Sequence, residues 1–320
     1  MQARSPAGPG GARGAREALG TAGLALIAVQ ILTGVLLATS YCPSPEAAAG
    51  SVAHVERLVA SGALIRGLHV WGTSLLVGIV LVHAIDVFGR GAFVDDRRAL
   101  WIQGTLLGLL ILAQAFTGSV LPWDTRGQSA AAIAGELAAT VPGVGPGLRR
   151  LVLGGEQPGL FTLTRFYALH ALVLPASILA LAGYHRTRAR PLALDGAAAP
   201  CARVYGLDAA VVLGTVTTLL ALAVRFAPPL VHPPGTAGAV TQARPDWYFL
   251  PLYHLLHLAP QGWIFAAGVL LPGALAAVVV LWPWIEPRPE GHRLVASTFA
   301  GLVMFAGAVL LVMALAGGSY

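Results

Sequence analysis

The chain has 320 residues, of which 56% are apolar and only 11% charged, and its mean hydropathy is +0.74. A soluble domain carries roughly 25% charged residues because its surface is wetted, so the composition argues against a soluble enzyme or a disordered chain and predicts an integral membrane protein. The formal net charge of +6 comes from Arg alone, clustered between apolar runs rather than along one face, which argues against a nucleic-acid module.

The first apolar run, at about 20–39, follows Arg4, Arg13 and Arg16. It is longer than a signal-peptide core and lacks a small-x-small cleavage pattern, so it reads as a retained first span. Further runs near the roughly 20 residues that cross a bilayer fall at about 67–88, 100–120, 165–186, 207–226, 263–284 and 294–316. Seven spans set the N-terminus and the loops at 89–99, 187–206 and 285–293 on one side. That side holds twelve Arg against eight on the other, which predicts a cytoplasmic N-terminus. The longest connections, 121–164 and 227–262, then share the outer face, where loops of that length usually have a function. Within the first, the Ala-rich stretch 129–140 predicts a short interfacial helix, broken by Pro142-Gly143-Val144-Gly145-Pro146-Gly147.

The strongest signal is four histidines inside the spans. His69 and His83 stand fourteen residues apart in the second span, and His170 and His185 fifteen apart in the fourth. At 1.5 Å and 100° per residue, fourteen residues separate two side chains by about 21 Å along the axis and about 40° around it, and fifteen by about 22 Å and 60°. Both spans run in the same direction, so His69 meets His170 near the outer leaflet and His83 meets His185 near the inner one. One histidine in a membrane is commonly a hydrogen-bonded core residue; four at matched depths are not. Zinc takes four ligands, and neither level offers a third. A haem iron needs two axial ligands, which is what each level supplies, and bis-His ligation leaves no open position, so such haems carry electrons rather than bind gases. Cys42 and Cys201 lie in no C-x-x-C-H run, so neither a disulfide framework nor a c-type haem attachment is indicated.

Glycines repeat the period: Gly20 and Gly34 in the first span, and Gly104 and Gly118 in the third, are also fourteen apart. A macrocycle between helices needs close backbones, which glycine permits, although small residues also serve ordinary helix packing. Arg66 and Arg165 precede His69 and His170 by three and five residues, at a depth where a guanidinium pairs with haem propionates or anchors the span at the interface.

Five motifs together resemble cytochrome b of the cytochrome bc complexes, from about Gly20 to the seventh span. They are Gln30-Ile31-Leu32-Thr33-Gly34, Arg66-Gly67-Leu68-His69, Gly118-Ser119-Val120-Leu121-Pro122-Trp123-Asp124, the run from Thr162 to His170, and Pro245-Asp246-Trp247-Tyr248-Phe249. The fifteen-residue His step and Pro122-Trp123-Asp124 look like the plastid-type branch, with its four-span cytochrome b fused here to a three-span subunit-IV-like part. The resemblance implies an all-α integral membrane protein: a cytoplasmic tail at 1–19, a four-helix dihaem core at 20–190, a linker at 191–206 and a three-helix region at 207–320. Departures are Asp246 where the family has Glu, Ser119 where it has Tyr, and Asp86 where it has Arg, with Arg90 as a substitute at the inner haem. Cys42 is misplaced for the branch's covalent extra haem.

The resemblance further implies a subunit of a quinol:cytochrome c oxidoreductase that contributes to the proton-motive force. Quinol is oxidised at the outer face, where Asp246 accepts a proton and Tyr248 hydrogen-bonds a quinone carbonyl. One electron leaves to a Rieske-type iron–sulfur protein and a c-type cytochrome, and the other crosses through two non-covalent, bis-His b-type haems to an inner quinone site beside Arg190 and Asp208. The expected setting is a homodimer in a bacterial cytoplasmic (inner) membrane. Two rivals share intramembrane His pairs: a dihaem membrane anchor of another dehydrogenase, and a haem-free proton-coupled transporter. The motif at 245–249 and the three extra spans argue against the anchor, and haem colour separates the transporter.

Overall fold

The structure, a computed structural model, describes residues 11–194, 201–233, 235 and 244–286. Among these every regular element is helical: α1 (Gly11–Ala38), α2 (Ala48–Leu58), α3 (Gly62–Gly89), α4 (Arg98–Val120), α5 (Thr125–Ala139), α6 (Gly145–Leu153), α7 (Leu160–Ala168), α8 (Leu174–Leu194), α9 (Cys201–Arg225), α10 (Leu250–Leu258) and α11 (Leu271–Ile285). A hydrocarbon environment offers backbone groups no water, so a helix that satisfies its own hydrogen bonds is what these apolar runs can form.

Six helices are long and apolar enough to cross a membrane: Glu17–Ala38, Gly62–Gly89, Arg98–Val120, Leu160–Ala189, Asp208–Arg225 and Gln261–Ile285. They coincide with the first six expected spans. The seventh, at 294–316, lies outside the described residues.

Helix α1 packs on α3, α4 packs on α8, α9 leans on α1 and α3, and α11 lies against α4. Leu26, Ile27, Leu76, Val77, Ile111, Ile178, Ala182 and Leu219 from these helices form one buried cluster. Leu76 and Val77 lie midway between His69 and His83, and Ile178 midway between His170 and His185, so this cluster is a dry layer between the two histidine levels. Large apolar residues on the outside stay exposed, with Leu213 at 69% and Val224 at 71%, as a face turned to lipid requires.

The fourth span is not a regular α-helix. Residues Leu169–Val173 form a π turn, in which the Leu174 amide returns to the Leu169 carbonyl. Pro175 explains it: a proline ring clashes with the carbonyl four residues earlier and has no N–H to donate, and a π turn relieves that clash. The same device recurs where Ala266–Leu270 forms a π turn before Leu271-Pro272.

On the side expected to be outer, α5 and α6 form a hairpin. The Ala-rich helix starts earlier than expected, because Asp124 caps it by accepting from the Gly127 amide at 2.9 Å. The Pro/Gly run ends it as expected, but Gly145-Pro146-Gly147 opens α6 instead of continuing a loop. A Cβ at Gly145 would fall 2.1 Å from the Ala139 carbonyl oxygen, so glycine is what allows the chain to fold back there.

Candidate functional site

His69 on α3 and His170 in the π turn face each other with ring centroids 6.1 Å apart and planes inclined at 74°. A metal–imidazole bond of about 2 Å places each ring centroid roughly 3 Å from the metal, so rings on opposite sides of one ion stand roughly 6 Å apart. The separation fits two axial imidazoles on one metal. Their tautomers fit as well. His170 Nδ1 lies 3.0 Å from the Gln114 carbonyl, which only accepts, so Nδ1 carries the proton. Thr33 Oγ1 lies 2.9 Å from His69 Nδ1 and gives its own hydrogen to the Val29 carbonyl at 2.7 Å, so it accepts from His69 Nδ1–H. Both rings keep the Nε2 lone pair for a metal, held in orientation by the partner on Nδ1.

These supports are repeated along the chain. Gln30-Ile31-Leu32-Thr33-Gly34 on α1 serves His69 as Gln114-Ala115-Phe116-Thr117-Gly118 on α4 serves His170. Gln30 Nε2 donates to the His69 carbonyl at 3.0 Å, and Gln114 Nε2 to the His170 carbonyl at 2.9 Å. Thr117 Oγ1 lies 3.2 Å from His170 Nδ1. A Cβ on Gly118 would sit 2.5 Å from His170 Cε1, and one on Gly34 3.2 Å from His69 Cε1. The fourteen-residue period had pointed to the two glycines. It missed Gln30, Thr33, Gln114 and Thr117, whose signal was the recurrence of Gln-x-x-Thr-Gly.

At the inner level His83 and His185 are close enough to interact electrostatically, and a Cβ on Gly104 would touch His185 Cε1 at 3.5 Å, whereas Gly20 has open space beside it. The fifteen-residue step in the fourth span now matches the fourteen in the second, because the π turn absorbs one residue. Asp86 and Arg90 pair at 2.6 Å. Asp208 ties three helices together: its Oδ1 accepts from Thr21 on α1 at 2.9 Å, and its Oδ2 lies 3.9 Å from Arg186 on α8. Thr21 was not anticipated. The Arg190 side chain lies outside the described residues.

On the outer side one cavity of about 1000 Å³ is lined by His69, His170, Arg66, Arg126, Asp246 and Tyr248, among others. Its size is at the upper end of the roughly 300–1,000 Å³ of cofactor and small-molecule sites. Residues 245–249 are docked there by aromatic contacts: Tyr248 on Phe249 at 4.9 Å, and Phe249 edge-on to Phe116 of α4 at 5.9 Å. Tyr248 donates to Asp246 Oδ2 at 3.0 Å. Burial, and then the Asp246 charge and hydrogen bond, push the Tyr248 phenol well above its ordinary value. Ser119 also lines this cavity, its hydroxyl turned to the Phe116 carbonyl at 2.8 Å.

The two arginines expected near the outer pair part company. Arg66 is buried in the cavity wall, bound to Glu56 at 2.5 Å and to the Pro229 carbonyl at 2.8 Å. Arg165 is exposed, and its guanidinium donates to the Arg150 and Leu151 carbonyls at the end of α6 instead of entering the cavity. His254 and His257 lie on α10, where His257 is exposed and its ring packs against Tyr253 at 4.3 Å with the planes inclined at 45°. Among the described residues no group of three or more His, Cys, Asp or Glu gathers where a metal ion would be held.

The sequence profile described as Cytochrome b/b6/petB matches residues 16–189. The chain belongs to the cytochrome b/b6 family. It is 36% identical over 169 residues to the menaquinol:cytochrome c reductase cytochrome b subunit of Geobacillus thermodenitrificans, covering 52% of this chain and 75% of that one. It is 41% identical over 158 residues to cytochrome b6 of Heliomicrobium gestii, covering 49% and 74%. Against cytochrome b of Chondrus crispus, identity is 32% over 271 residues, covering 81% and 70%. The b6 match covers about half of this chain, whereas the Chondrus match covers 81% of it. A solved structure titled "Hyperthermophilic respiratory Complex III" shares the fold, with a TM-score of 0.78 at 23% identity over 94% of this chain and 84% of that one. Cytochrome b proteins bind haem b, and the spacing and tautomers of His69 and His170 suit it.

Proposed function

We propose that this cytochrome b is the electron-transfer subunit of a quinol:cytochrome c oxidoreductase, with His69/His170 holding an outer haem and His83/His185 an inner one. The observation that carries it is that the His69/His170 pair and the Asp246–Tyr248 loop line one and the same cavity. Substrate and first electron carrier are thereby neighbours. The family and the menaquinol:cytochrome c reductase relative support the same reading.

Quinol gives up two protons and two electrons on becoming quinone. Asp246 accepts one proton and releases it to the outer side, and Tyr248, held protonated, keeps a donor in the site. One electron goes to a Rieske-type iron–sulfur protein and on to a c-type cytochrome. Bound at the two levels, b haems supply one-electron carriers from the outer to the inner face. Asp208, backed by Thr21 and Arg186, and Arg190 serve an inner quinone site. Moving one charge across the membrane costs about 2.3 kcal/mol per 100 mV, so this route stores energy as proton-motive force. The core at 20–190 carries the haems and 207–320 the outer loop, within a homodimer in a bacterial cytoplasmic membrane with the N-terminus in the cytoplasm.

A reduced-minus-oxidised spectrum with a pyridine haemochrome count tests this on the purified complex, beside a His83→Ala variant. Two b haems per chain, only the inner one lost in the variant, and quinol-dependent reduction of cytochrome c are the expected results. Absence of b-type absorption from cofactor-replete protein would sink the reading.

A further inference from the structure

Pro283 lies inside α11 and is fully buried. A proline has no N–H to donate, so the carbonyl four residues before it, that of Val279, loses its partner within the helix. Inside a membrane no water replaces that partner, and a neighbouring helix must supply it. Trp101, in the first turn of α4, is the donor: its indole Nε1–H reaches the Val279 carbonyl at 2.7 Å. The Trp101 side chain is buried and held in an aromatic cluster, with Phe93 at 5.4 Å and Phe88 at 5.9 Å, while Trp282 of α11 stands 5.1 Å from Phe88. The bond joins α4 to α11 near the inner histidine level, because Gly104, one turn further along α4, meets His185 there.

The other half of the same span reaches the cavity. Gln261–Ile285 is a single membrane-length span, and Gly268 precedes Val279 by about 16 Å along its axis. Gly268 fits between α5 and α10: a Cβ there would collide with Leu137 and fall 2.9 Å from Leu256 Cδ2. Leu137 and Leu256 both line the cavity that holds Asp246 and Tyr248, and Leu256 belongs to α10, which follows directly on that loop.

We propose that Trp101 is a positioning residue for quinol oxidation. By holding the Val279 carbonyl it seats the sixth span on α4, and through Gly268 that span fixes where α10 and the Asp246–Tyr248 loop stand against the cavity. This rests on the reading that quinol is oxidised beside Asp246. The indole N–H is needed and not only the ring, because Pro283 leaves the carbonyl without an amide of its own.

Quinol oxidation by the intact complex reads the effect, with haem content as the control for folding. Trp101→Phe keeps an aromatic ring in the cluster but removes the donor, so kcat/KM for quinol falls about 2–10-fold, the range of one net hydrogen bond, while both b haems stay bound. Trp282→Phe alters the same cluster, but its indole N–H goes to Glu286 at 3.1 Å, and kcat/KM stays close to wild type. Pro283→Ala gives Val279 back its amide, so in that background adding Trp101→Phe costs no further activity, a rescue that loss of ring packing alone would not give. An unchanged kcat/KM in Trp101→Phe overturns the proposal, as does an equal loss in Trp282→Phe or an undiminished loss in the Pro283→Ala background. The Trp282 comparison decides even where the Pro283 variant does not fold. A wild-type complex that binds both haems and oxidises no quinol sinks the reading beneath, and the proposal with it.

Discussion

Pro175 lies five residues beyond His170, so the amide it lacks is the one that a π turn would return to the His170 carbonyl. Gln114 on the neighbouring α4 takes that place, its Nε2 donating to the His170 carbonyl at 2.9 Å. A single imino acid thus does two things: it forces the turn that brings His170 and His185 into register with His69 and His83, and it leaves an acceptor through which α4 grips the ligand.

Pro175→Ala removes the clash and restores the amide, so the segment relaxes to a regular α-helix. One residue fewer is then absorbed, which turns His185 by about 100° relative to His170. Haem content measured by pyridine haemochrome should fall from two toward one per chain, with helix content by circular dichroism unchanged. Retention of both haems with unaltered spectra would mean that the π turn does not depend on Pro175.

Much of this arrangement was legible in advance. The spans follow from apolar length, and the pairing of His69 with His170 from depth and direction alone. The π turn was not read, although Leu174-Pro175 inside an apolar run announces a break in the hydrogen-bond ladder, and the fifteen-residue step was therefore treated as straight helix. The Arg66–Glu56 pair escaped because the partners lie on different helices ten residues apart, and the Trp101–Val279 bond because its partners stand 178 residues apart. Periodicity reveals what shares a helix; it is silent about what lies across from it.

The glycines beside the outer ligands should differ in tolerance. A Cβ at Gly118 would lie 2.5 Å from His170 Cε1, and one at Gly34 3.2 Å from His69 Cε1. Gly118→Ala should lose the outer haem, Gly34→Ala should retain it with a shifted midpoint, and Gly104→Ala, at 3.5 Å from His185 Cε1, should leave the inner haem close to normal. Difference spectra of the three variants check the order.

Thr33 and Thr117 occupy equivalent places, but their removal should not cost the same. Thr33 Oγ1 is the hydrogen-bond partner of His69 Nδ1, whereas His170 Nδ1 also has the Gln114 carbonyl at 3.0 Å. Loss of a residue that orients a ligating histidine typically weakens metal binding roughly 10–100-fold. Thr33→Val should therefore weaken outer-haem retention about tenfold or more, and Thr117→Val should do far less, in dilution experiments that follow haem release. Equal effects would mean that the Gln114 carbonyl does not hold His170.

The outer loop makes a prediction about pH. Asp246 accepts from Tyr248, and burial together with the Asp246 charge raises the phenol above the ordinary tyrosine value of about 10. Because the folded value lies above the unfolded one, the stability contributed by protonated Tyr248 is fully present below about pH 10 and is lost as the pH rises through the raised value. Tyr248→Phe removes this liability, so the variant should unfold at higher pH than wild type in an alkaline titration. At neutral pH neither protein ionises there, and the pH profile of quinol oxidation should contain no limb from Tyr248. Asp246→Asn, by contrast, removes the proton acceptor and should slow turnover by roughly 10²–10⁴-fold while both haems stay bound. A turnover number unchanged in that variant would remove Asp246 from the chemistry and leave Tyr248 hydrogen-bonded to a residue that only shapes the loop.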